Sequence, residues 1–196
     1  MSRPRVACLH TAVSNAILFD AAARGLDIAL IHEVRPQLLV AAEAGAVPLA
    51  ETAALLETLA AVNDAVLLTC STCGPAVDLA GSAKPVLRAD AMLARLAGPG
   101  SLVLYAAPTT EASTRELFVG AELRLVAGAW EMFKADRLAA YHAQVAAIAD
   151  AAFAAGHGPV ALAQASMAPA AALCRNGTPL TVPRAALEGI CEALAG

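Results

Sequence analysis

The chain has 196 residues, a length that suits one large domain or two small lobes. Its net charge of −4 excludes the basic surface that nucleic-acid binding needs, so no nucleic-acid partner is expected. No apolar run reaches the roughly 18 residues of a membrane-spanning helix, so no membrane partner is expected either.

Apolar runs of strand length alternate with helix-like runs along the whole chain, in which 59% of the residues are hydrophobic. Strands are predicted at Arg5–His10, Asp27–Glu33, Ala65–Thr69, Pro85–Ala89, Ser101–Ala106, Glu122–Val126, Pro159–Ala163 and Pro179–Val182. Helices are predicted at Ser14–Arg24, Pro36–Ala44, Leu49–Val62, Ala91–Leu96, Glu111–Val119 and Lys134–Ala154, with a further helix from Pro183. This alternation predicts an α/β protein whose parallel strands are buried between helices.

Two stretches of the chain repeat. VLLTCST from Val66 resembles VALAQAS from Val160 at an offset of 94 residues, and the first strand from Val6 resembles the run from Leu102 at an offset of 96. We therefore predict two similar lobes, each a parallel sheet flanked by helices, related by pseudo-twofold symmetry. The first lobe comprises residues 1–97 with 179–196 and the second comprises residues 98–178. The ligand site is expected in the cleft between them, at the carboxyl ends of the strands.

Small polar residues follow the third predicted strand, in the order Cys70, Ser71 and Thr72. Their hydroxyls and the next backbone N–H groups suit a carboxylate or phosphate, and they lower a thiol's pKa enough to make Cys70 a nucleophile or proton carrier. Cys70 is alternatively a buried packing residue. Together with Cys73 it also has the CxxC spacing of thiol redox proteins. If Cys70 is the working thiol, Cys73 is expected to be a packing residue.

Other polar residues at predicted strand ends have two interpretations each. Thr109 and Thr110 either cap the following helix or form a second carboxylate-binding turn. His10 either orients a substrate and shares a proton, or is a satisfied core histidine. Asn15 is open to the same two interpretations.

The motifs of metal and cofactor sites are not found in the sequence. There is no HExxH, no second CxxC and no cluster of carboxylates, so no metal site is expected. The sequence has no Walker loop and no GxGxxG, and neither Lys84 nor Lys134 suggests a pyridoxal site, so no cofactor is expected. The five cysteines form no disulfide framework, which predicts a cytoplasmic protein with reduced thiols.

Five stretches carry a resemblance to a known family. They are HTAVSN, VLLTCSTCGPAVDLA, PVLRADAMLA, APTTEAST and VALAQASMAPAAAL, and they lie in the family's order over most of the chain. In these stretches the chain resembles the aspartate/glutamate racemase superfamily, which includes hydantoin racemases, maleate isomerases and arylmalonate decarboxylases. The resemblance implies a cofactor-independent enzyme that acts at the carbon next to a small substrate's carboxylate. Family members commonly pair, so a homodimer is consistent with it.

The resemblance also implies a site. In the family, two cysteines face each other across the substrate's α-carbon, and Cys70 matches the first of them. Ser71 and Thr72 match the polar residues that follow it, and Thr109 and Thr110 match the carboxylate-binding turn of the second lobe. Beside these matches, the predicted site includes His10, as a second catalytic candidate, and Thr11, Asn15, Gln164 and Ala165 as substrate-binding residues.

The sequence departs from the family at the second cysteine, where it has Gln164. The internal repeat aligns Cys70 with the same glutamine, whose amide does not exchange a proton near neutral pH. The first hypothesis is a racemase- or isomerase-like enzyme with Cys70 as thiol acid/base or nucleophile. The alternatives are a one-cysteine lyase resembling arylmalonate decarboxylase, a CxxC redox protein, and a non-catalytic carboxylate-binding protein.

Overall fold

The structure is a computed structural model that describes residues 3–195; residues 1, 2 and 196, which belong to the predicted first lobe, lie outside that range. The chain divides into two compact units, one formed by Met1–Met92 with Pro183–Gly196 and the other by Leu93–Val182.

All eight predicted strands form, with ends that differ by up to two residues from the prediction. They are β1 (Arg5–His10), β2 (Ala29–Val34), β3 (Ala65–Leu68), β4 (Val86–Arg88), β5 (Leu102–Tyr105), β6 (Glu122–Leu125), β7 (Val160–Leu162) and β8 (Leu180–Thr181). The first unit has a four-stranded parallel sheet in the order β2-β1-β3-β4, and the second has one in the order β6-β5-β7-β8. The predicted α/β class and the two similar lobes are therefore confirmed.

Helices connect the strands in both units. They are α1 (Ser14–Ala22), α2 (Pro36–Glu43), α3 (Leu49–Val62), α4 (Ala89–Ala97), α5 (Glu111–Leu117), α6 (Ala129–Lys134), α7 (Leu138–Ala154) and α8 (Val182–Ala195). Short 3₁₀ segments cover Gly74–Leu79, Pro108–Thr110 and Ala165–Leu173. The helix predicted from Lys134 begins instead at Leu138, because Asp136 adopts a left-handed turn with φ of 55° that aspartate tolerates better than most residues.

Small and branched apolar side chains fill both cores. In β1, every residue from Val6 to His10 is fully buried, and β3 is buried throughout. Burial on both faces is the normal environment of a parallel strand, and it explains the continuous apolar runs in the sequence. The core cluster of the first unit consists of Ala7, Leu9, Leu38, Leu56, Ala60, Val66, Leu68, Cys70, Cys73 and Ala76.

The shared strand order gives each sheet one switch point. In the first sheet the chain leaves β1 for β2 on one side and reaches β3 on the other, and β5, β6 and β7 repeat this arrangement. The carboxyl ends of the two central strands diverge at such a point and leave room for a ligand. A ligand at the first switch point would meet the residues just after β1 and β3. A ligand at the second would meet those just after β5 and β7.

None of the helices in the described range 3–195 is both long enough and apolar enough to cross a membrane.

Candidate active site

The switch point of the first sheet brings Thr11 and Cys70 together. Thr11 directly follows β1, and Cys70 lies two residues past the end of β3. Each is only 7% exposed, and the Thr11 hydroxyl donates a hydrogen bond to Cys70 Sγ. Ser71 and Thr72 continue the same turn and are also buried. Four of the predicted site residues are thus neighbours at one sheet edge.

The surroundings of Cys70 stabilise its thiolate. Its pKa is lowered from 9.0 to about 7, chiefly because the Cys73 thiol donates a hydrogen bond to Cys70 Sγ. Burial acts in the opposite direction, but the Thr11 hydroxyl and the backbone N–H groups of Cys73 and Thr72 add to the lowering. Because these donors favour the charged form, a buried thiol here ionises near neutral pH.

Cys73 has a more specific role than the packing expected from the sequence. It is fully buried, and its own pKa is raised because its proton is held between the two sulfurs and because burial disfavours its thiolate. The two shifts have opposite directions, as expected when the Cys73 thiol donates to the Cys70 thiolate.

His10, the last residue of β1, is held by hydrogen bonds at both ring nitrogens. Nδ1 lies 2.8 Å from Thr69 Oγ1, and that hydroxyl gives its own proton to the Leu9 carbonyl, so Nδ1 is the donor. Nε2 lies 2.8 Å from His32 Nδ1, and His32 Nε2 lies 3.1 Å from Asp20 Oδ1. These contacts form one chain from the surface carboxylate to the backbone of β1.

The surroundings of His10 keep its ring neutral. Burial, followed by the charge of His32, lowers the pKa of His10 to about 4, so His10 is neutral at pH 7 and its Nε2 accepts from His32. At the other end of the chain, the Asp20 carboxylate accepts from His32 Nε2. That His10 is a second catalytic residue beside Cys70 stays a prediction. The observed bonds orient the Thr69 side chain, one residue before Cys70.

Asn15 lies in the first turn of α1 and is 6% exposed. Its Oδ1 has no hydrogen-bond partner in the described part of the chain. A buried acceptor that lacks a donor costs about 1–3 kcal/mol, so native proteins normally satisfy it with water or a ligand. An N–H or O–H group of a bound molecule would serve.

Gln164 occupies the switch point of the second sheet. Its Oε1 accepts hydrogen bonds from the backbone N–H of Ala106 at 2.6 Å and of Ala107 at 2.9 Å, just past the end of β5. The side chain is buried, and its amide oxygen accepts from both of these donors. The switch point of the second sheet therefore holds a neutral amide.

Hydrogen bonds within each unit give Cys70 and Gln164 equivalent positions. The residue before Cys70 donates its N–H to Leu9 of β1 at 3.0 Å, and the residue before Gln164 donates its N–H to Leu104 of β5 at 2.9 Å. In this pairing the repeat offset between β3 and β7 is 94 residues, as predicted. The offset between β1 and β5 is 95 residues, from Leu9 to Leu104, and not the predicted 96.

The predicted residues of the second lobe lie around the same edge of the second sheet. Thr110 is 2% exposed, and its hydroxyl donates to the Ala107 carbonyl at 2.7 Å, so it shapes the turn that enters α5. Thr109 is exposed beside it, and buried Ala165 begins the 3₁₀ segment that follows Gln164.

A second polar cluster in the first unit was not found by sequence reasoning. Cys8 precedes His10 by two residues on β1, and in the sheet it pairs with His32 on β2. The possible metal-ligand atoms of these three residues all lie within 4.8 Å of one another. Burial, with a smaller effect of the Asp20 charge, raises the pKa of Cys8 to about 12. The alternation of Cys8 and His10 along a strand was the only sequence signal, because His32 joins them through strand pairing.

Comparison with known proteins gives a structural match without a sequence match. No family model and no curated protein matches the chain. Aspartate racemase from Picrophilus torridus is similar over 98% of this chain and 94% of its own, with a TM-score of 0.74 and 10% identity. The chain has the fold of the Asp/Glu racemase superfamily.

Two other solved structures support the same assignment of the fold. An aspartate racemase homologue from Pyrococcus horikoshii matches over 100% of both chains, with a TM-score of 0.70 and 11% identity. Allantoin racemase from Klebsiella pneumoniae matches over 98% of this chain and 87% of its own, with a TM-score of 0.66 and 18% identity. The resemblance seen in the sequence is confirmed at the level of fold.

Proposed function

We propose that this protein is a cofactor-independent, racemase- or isomerase-like enzyme that acts at the carbon next to the carboxylate of a small substrate. Cys70 is its thiol acid/base or nucleophile. The observation that carries this proposal is a buried thiol at the switch point of a parallel sheet, among donors that lower its pKa. The racemase fold of the chain supports the same class of reaction.

In the proposed reaction, the Cys70 thiolate removes the proton from the α-carbon. The electron pair moves into the carboxylate to form an enediolate, and the proton on Sγ is available for return. A base with a pKa near the working pH is the most effective for such a transfer. Hydroxyl and N–H donors of Ser71 and Thr72 would stabilise the developing negative charge, which is usually the largest catalytic contribution.

Gln164 favours a second candidate of the same superfamily, a one-thiol decarboxylase. The equivalent of Cys70 in the second unit is an amide that already bonds to two backbone N–H groups. In a malonate-type substrate the bond to the leaving CO2 breaks, its electron pair stays on the α-carbon, and the Cys70 thiol protonates that carbon on one face. This reaction needs one thiol, whereas racemisation needs a second proton carrier, for which His10 or a water molecule is the candidate.

The predicted binding residues favour a small carboxylate with a donor group. We assign the carboxylate to the turns that hold Ser71, Thr72, Thr109 and Thr110. The unpartnered Oδ1 of Asn15 favours a substrate that also carries an N–H or O–H. Contacts to the rest of the substrate are assigned to Thr11, Gln164 and Ala165. Amino acids satisfy both requirements, whereas unsubstituted dicarboxylates lack the donor group.

Proton NMR in D2O tests the proposal. The protein is incubated with amino acids, hydantoins, maleate and substituted malonates, and Cys70→Ala is run in parallel. Cys174→Ala is the matched control, because it removes a partly exposed thiol that lies outside the predicted site. Loss of an α-proton signal that requires Cys70 is the expected result, and chiral analysis then separates racemisation from exchange on one face.

Each other outcome selects a different function. New product peaks from a malonate would favour the decarboxylase. Full turnover by Cys70→Ala would contradict every version of the proposal. Binding of a carboxylate without turnover would favour a binding protein, and a reversible loss of two thiols per chain under mild oxidant would favour the CxxC redox protein.

A further inference from the structure

We propose that Cys8, His10 and His32 form a binding site for one transition-metal ion of the zinc type, held on the first sheet apart from the Cys70 turn. One thiolate and two imidazoles are a ligand set that Zn²⁺ and Co²⁺ favour, with water in a fourth position. The proposal does not depend on the catalytic function proposed for Cys70, but it makes His10 a metal ligand and so leaves a water molecule as the second proton carrier.

The strand geometry brings the three ligands together. Cys8 and His10 are two residues apart on β1 and point to the same face, and His32 pairs with Cys8 from β2. Their ligand atoms lie within 4.8 Å of one another. Tetrahedral zinc bond lengths require about 3.3 Å between two ligand nitrogens and about 3.6 Å between nitrogen and sulfur. His10 Nε2 and His32 Nδ1, now 2.8 Å apart, would separate by about half an ångström to reach this geometry.

Both imidazoles already have the outer partners of a metal-bound histidine. His10 donates its Nδ1–H to Thr69 Oγ1 at 2.8 Å, and His32 donates its Nε2–H to Asp20 Oδ1 at 3.1 Å. In metal sites such bonds fix the tautomer and orient the opposite nitrogen toward the ion. Here the opposite nitrogens, His10 Nε2 and His32 Nδ1, face each other.

Metal binding would displace protons from the cluster, because metal ligands must be deprotonated. A divalent ion would form bonds to Cys8 Sγ and to the two facing nitrogens of His10 and His32. The proton of the Cys8 thiol and the proton shared between the two facing nitrogens would then leave to solvent.

The cluster is open to solvent at one end. Cys8 and His10 are fully buried, whereas the side chains of His32 and Asp20 are 19% and 65% exposed. An ion would therefore enter beside His32. Leu9 points to the other face of β1, where it belongs to the same core cluster as Cys70. The ion would therefore join β1 to β2 without contacting the Cys70 turn.

Cobalt titration of the full-length protein tests this site. The chain is freed of metal with a chelator, kept reduced, and titrated with Co²⁺. We expect one equivalent to bind, with a thiolate-to-cobalt charge-transfer band and the strong visible bands of tetrahedral Co²⁺. One equivalent of Zn²⁺ should displace the Co²⁺ and so remove both the charge-transfer band and the visible bands. Absence of the charge-transfer band would overturn the proposal.

Variants locate the ion. Cys8→Ser should abolish the charge-transfer band, while Cys191→Ser, which changes another cysteine of the same unit, should retain it. His32→Gln keeps an amide donor for Asp20 but lacks the Nδ1 ligand, so it should lose the tetrahedral spectrum. It serves as the test if Cys8→Ser does not fold. Asp20→Asn should weaken metal affinity about 10–100-fold, as outer-partner changes do.

Two results would place a metal elsewhere and refute the site. One is a charge-transfer band of full intensity in Cys8→Ser. The other is a band that disappears in the double variant Cys70→Ser/Cys73→Ser, because that would assign the ion to the CxxC pair.

Discussion

Replacing Cys73 with alanine should raise the pKa of Cys70, because the Cys73 thiol is the main donor to the Cys70 thiolate. Lowering a thiol pKa from 9.0 to about 7 corresponds to ~3 kcal/mol of preferential stabilisation of the anion. A hydrogen bond to a charged group contributes about 1.5–3 kcal/mol, so its loss should bring the pKa of Cys70 to about 8–9.

The assay measures alkylation of Cys70 by iodoacetamide as a function of pH. Cys174 and Cys191 are first changed to serine, because both are partly exposed and would react in the background. Mass spectrometry of the peptide that contains Cys70 then gives its rate. In the parent the rate should reach half its maximum near pH 7, and in Cys73→Ala the midpoint should lie at least one pH unit higher.

Cys73→Ser is the matched control, since its hydroxyl keeps a donor at the same place and should retain most of the lowering. An equal pKa in the parent and in Cys73→Ala would refute the reasoning, and so would a parent pKa near 9. Thr11→Val should produce a smaller rise than Cys73→Ala, because the Thr11 hydroxyl is a lesser cause of the lowering.

The same lowered pKa predicts how activity and stability depend on pH. If the thiolate of Cys70 is the base, turnover should fall as the pH drops through about 7. The folded pKa lies below the 9.0 of an ordinary thiol, so the stabilising contribution of the thiolate is complete above pH 9 and is lost as the pH falls through 7. Urea unfolding between pH 6 and 9 measures how the free energy of unfolding changes with pH. This change should be smaller in Cys73→Ala, because the folded pKa of Cys70 then lies closer to 9.0.

Three further changes address the second unit and the support of the Cys70 turn. Gln164→Cys supplies a second thiol, and chiral chromatography should show faster racemisation than in the parent. Gly74→Ala should destabilise by about 1–3 kcal/mol in urea unfolding, because the new Cβ would meet the Arg88 guanidinium at 2.5 Å. Asp90→Ala should cost about 3–5 kcal/mol in the same assay, because it leaves the buried Arg88 without its partner at 3.0 Å.

Each of these changes has its own control. Gln164→Ala should racemise no faster than the parent, and equal racemisation by the alanine and cysteine variants would contradict the role given to the second thiol. Gly81→Ala meets its nearest atom at 3.5 Å and should be nearly neutral. Glu188→Ala breaks an exposed pair with Arg184 and should cost less than about 1 kcal/mol. A cost for Asp90→Ala as small as that for Glu188→Ala would refute the importance of the buried pair.

Chain position alone was enough to predict that some of the candidate residues lie close together. Cys70 and Thr11 both follow strands, and the carboxyl ends of parallel strands share one edge, so their proximity followed once β1 and β3 were recognised. Interactions that depend on side-chain direction did not follow. The sequence contains Gln164, but only the folded second unit shows its Oε1 on the N–H groups of Ala106 and Ala107.

The sequence by itself determined the α/β class, the eight strands and the internal repeat that aligns Cys70 with Gln164, because hydrophobic periodicity and strand order are written along the chain. Only the tertiary structure placed Cys73 and Thr11 as hydrogen-bonding neighbours of Cys70. Only it brought Cys8 and His10 against His32, since that contact depends on the register between β1 and β2. A register is set by packing across the whole sheet, and a shift of one residue would turn His32 to the other face.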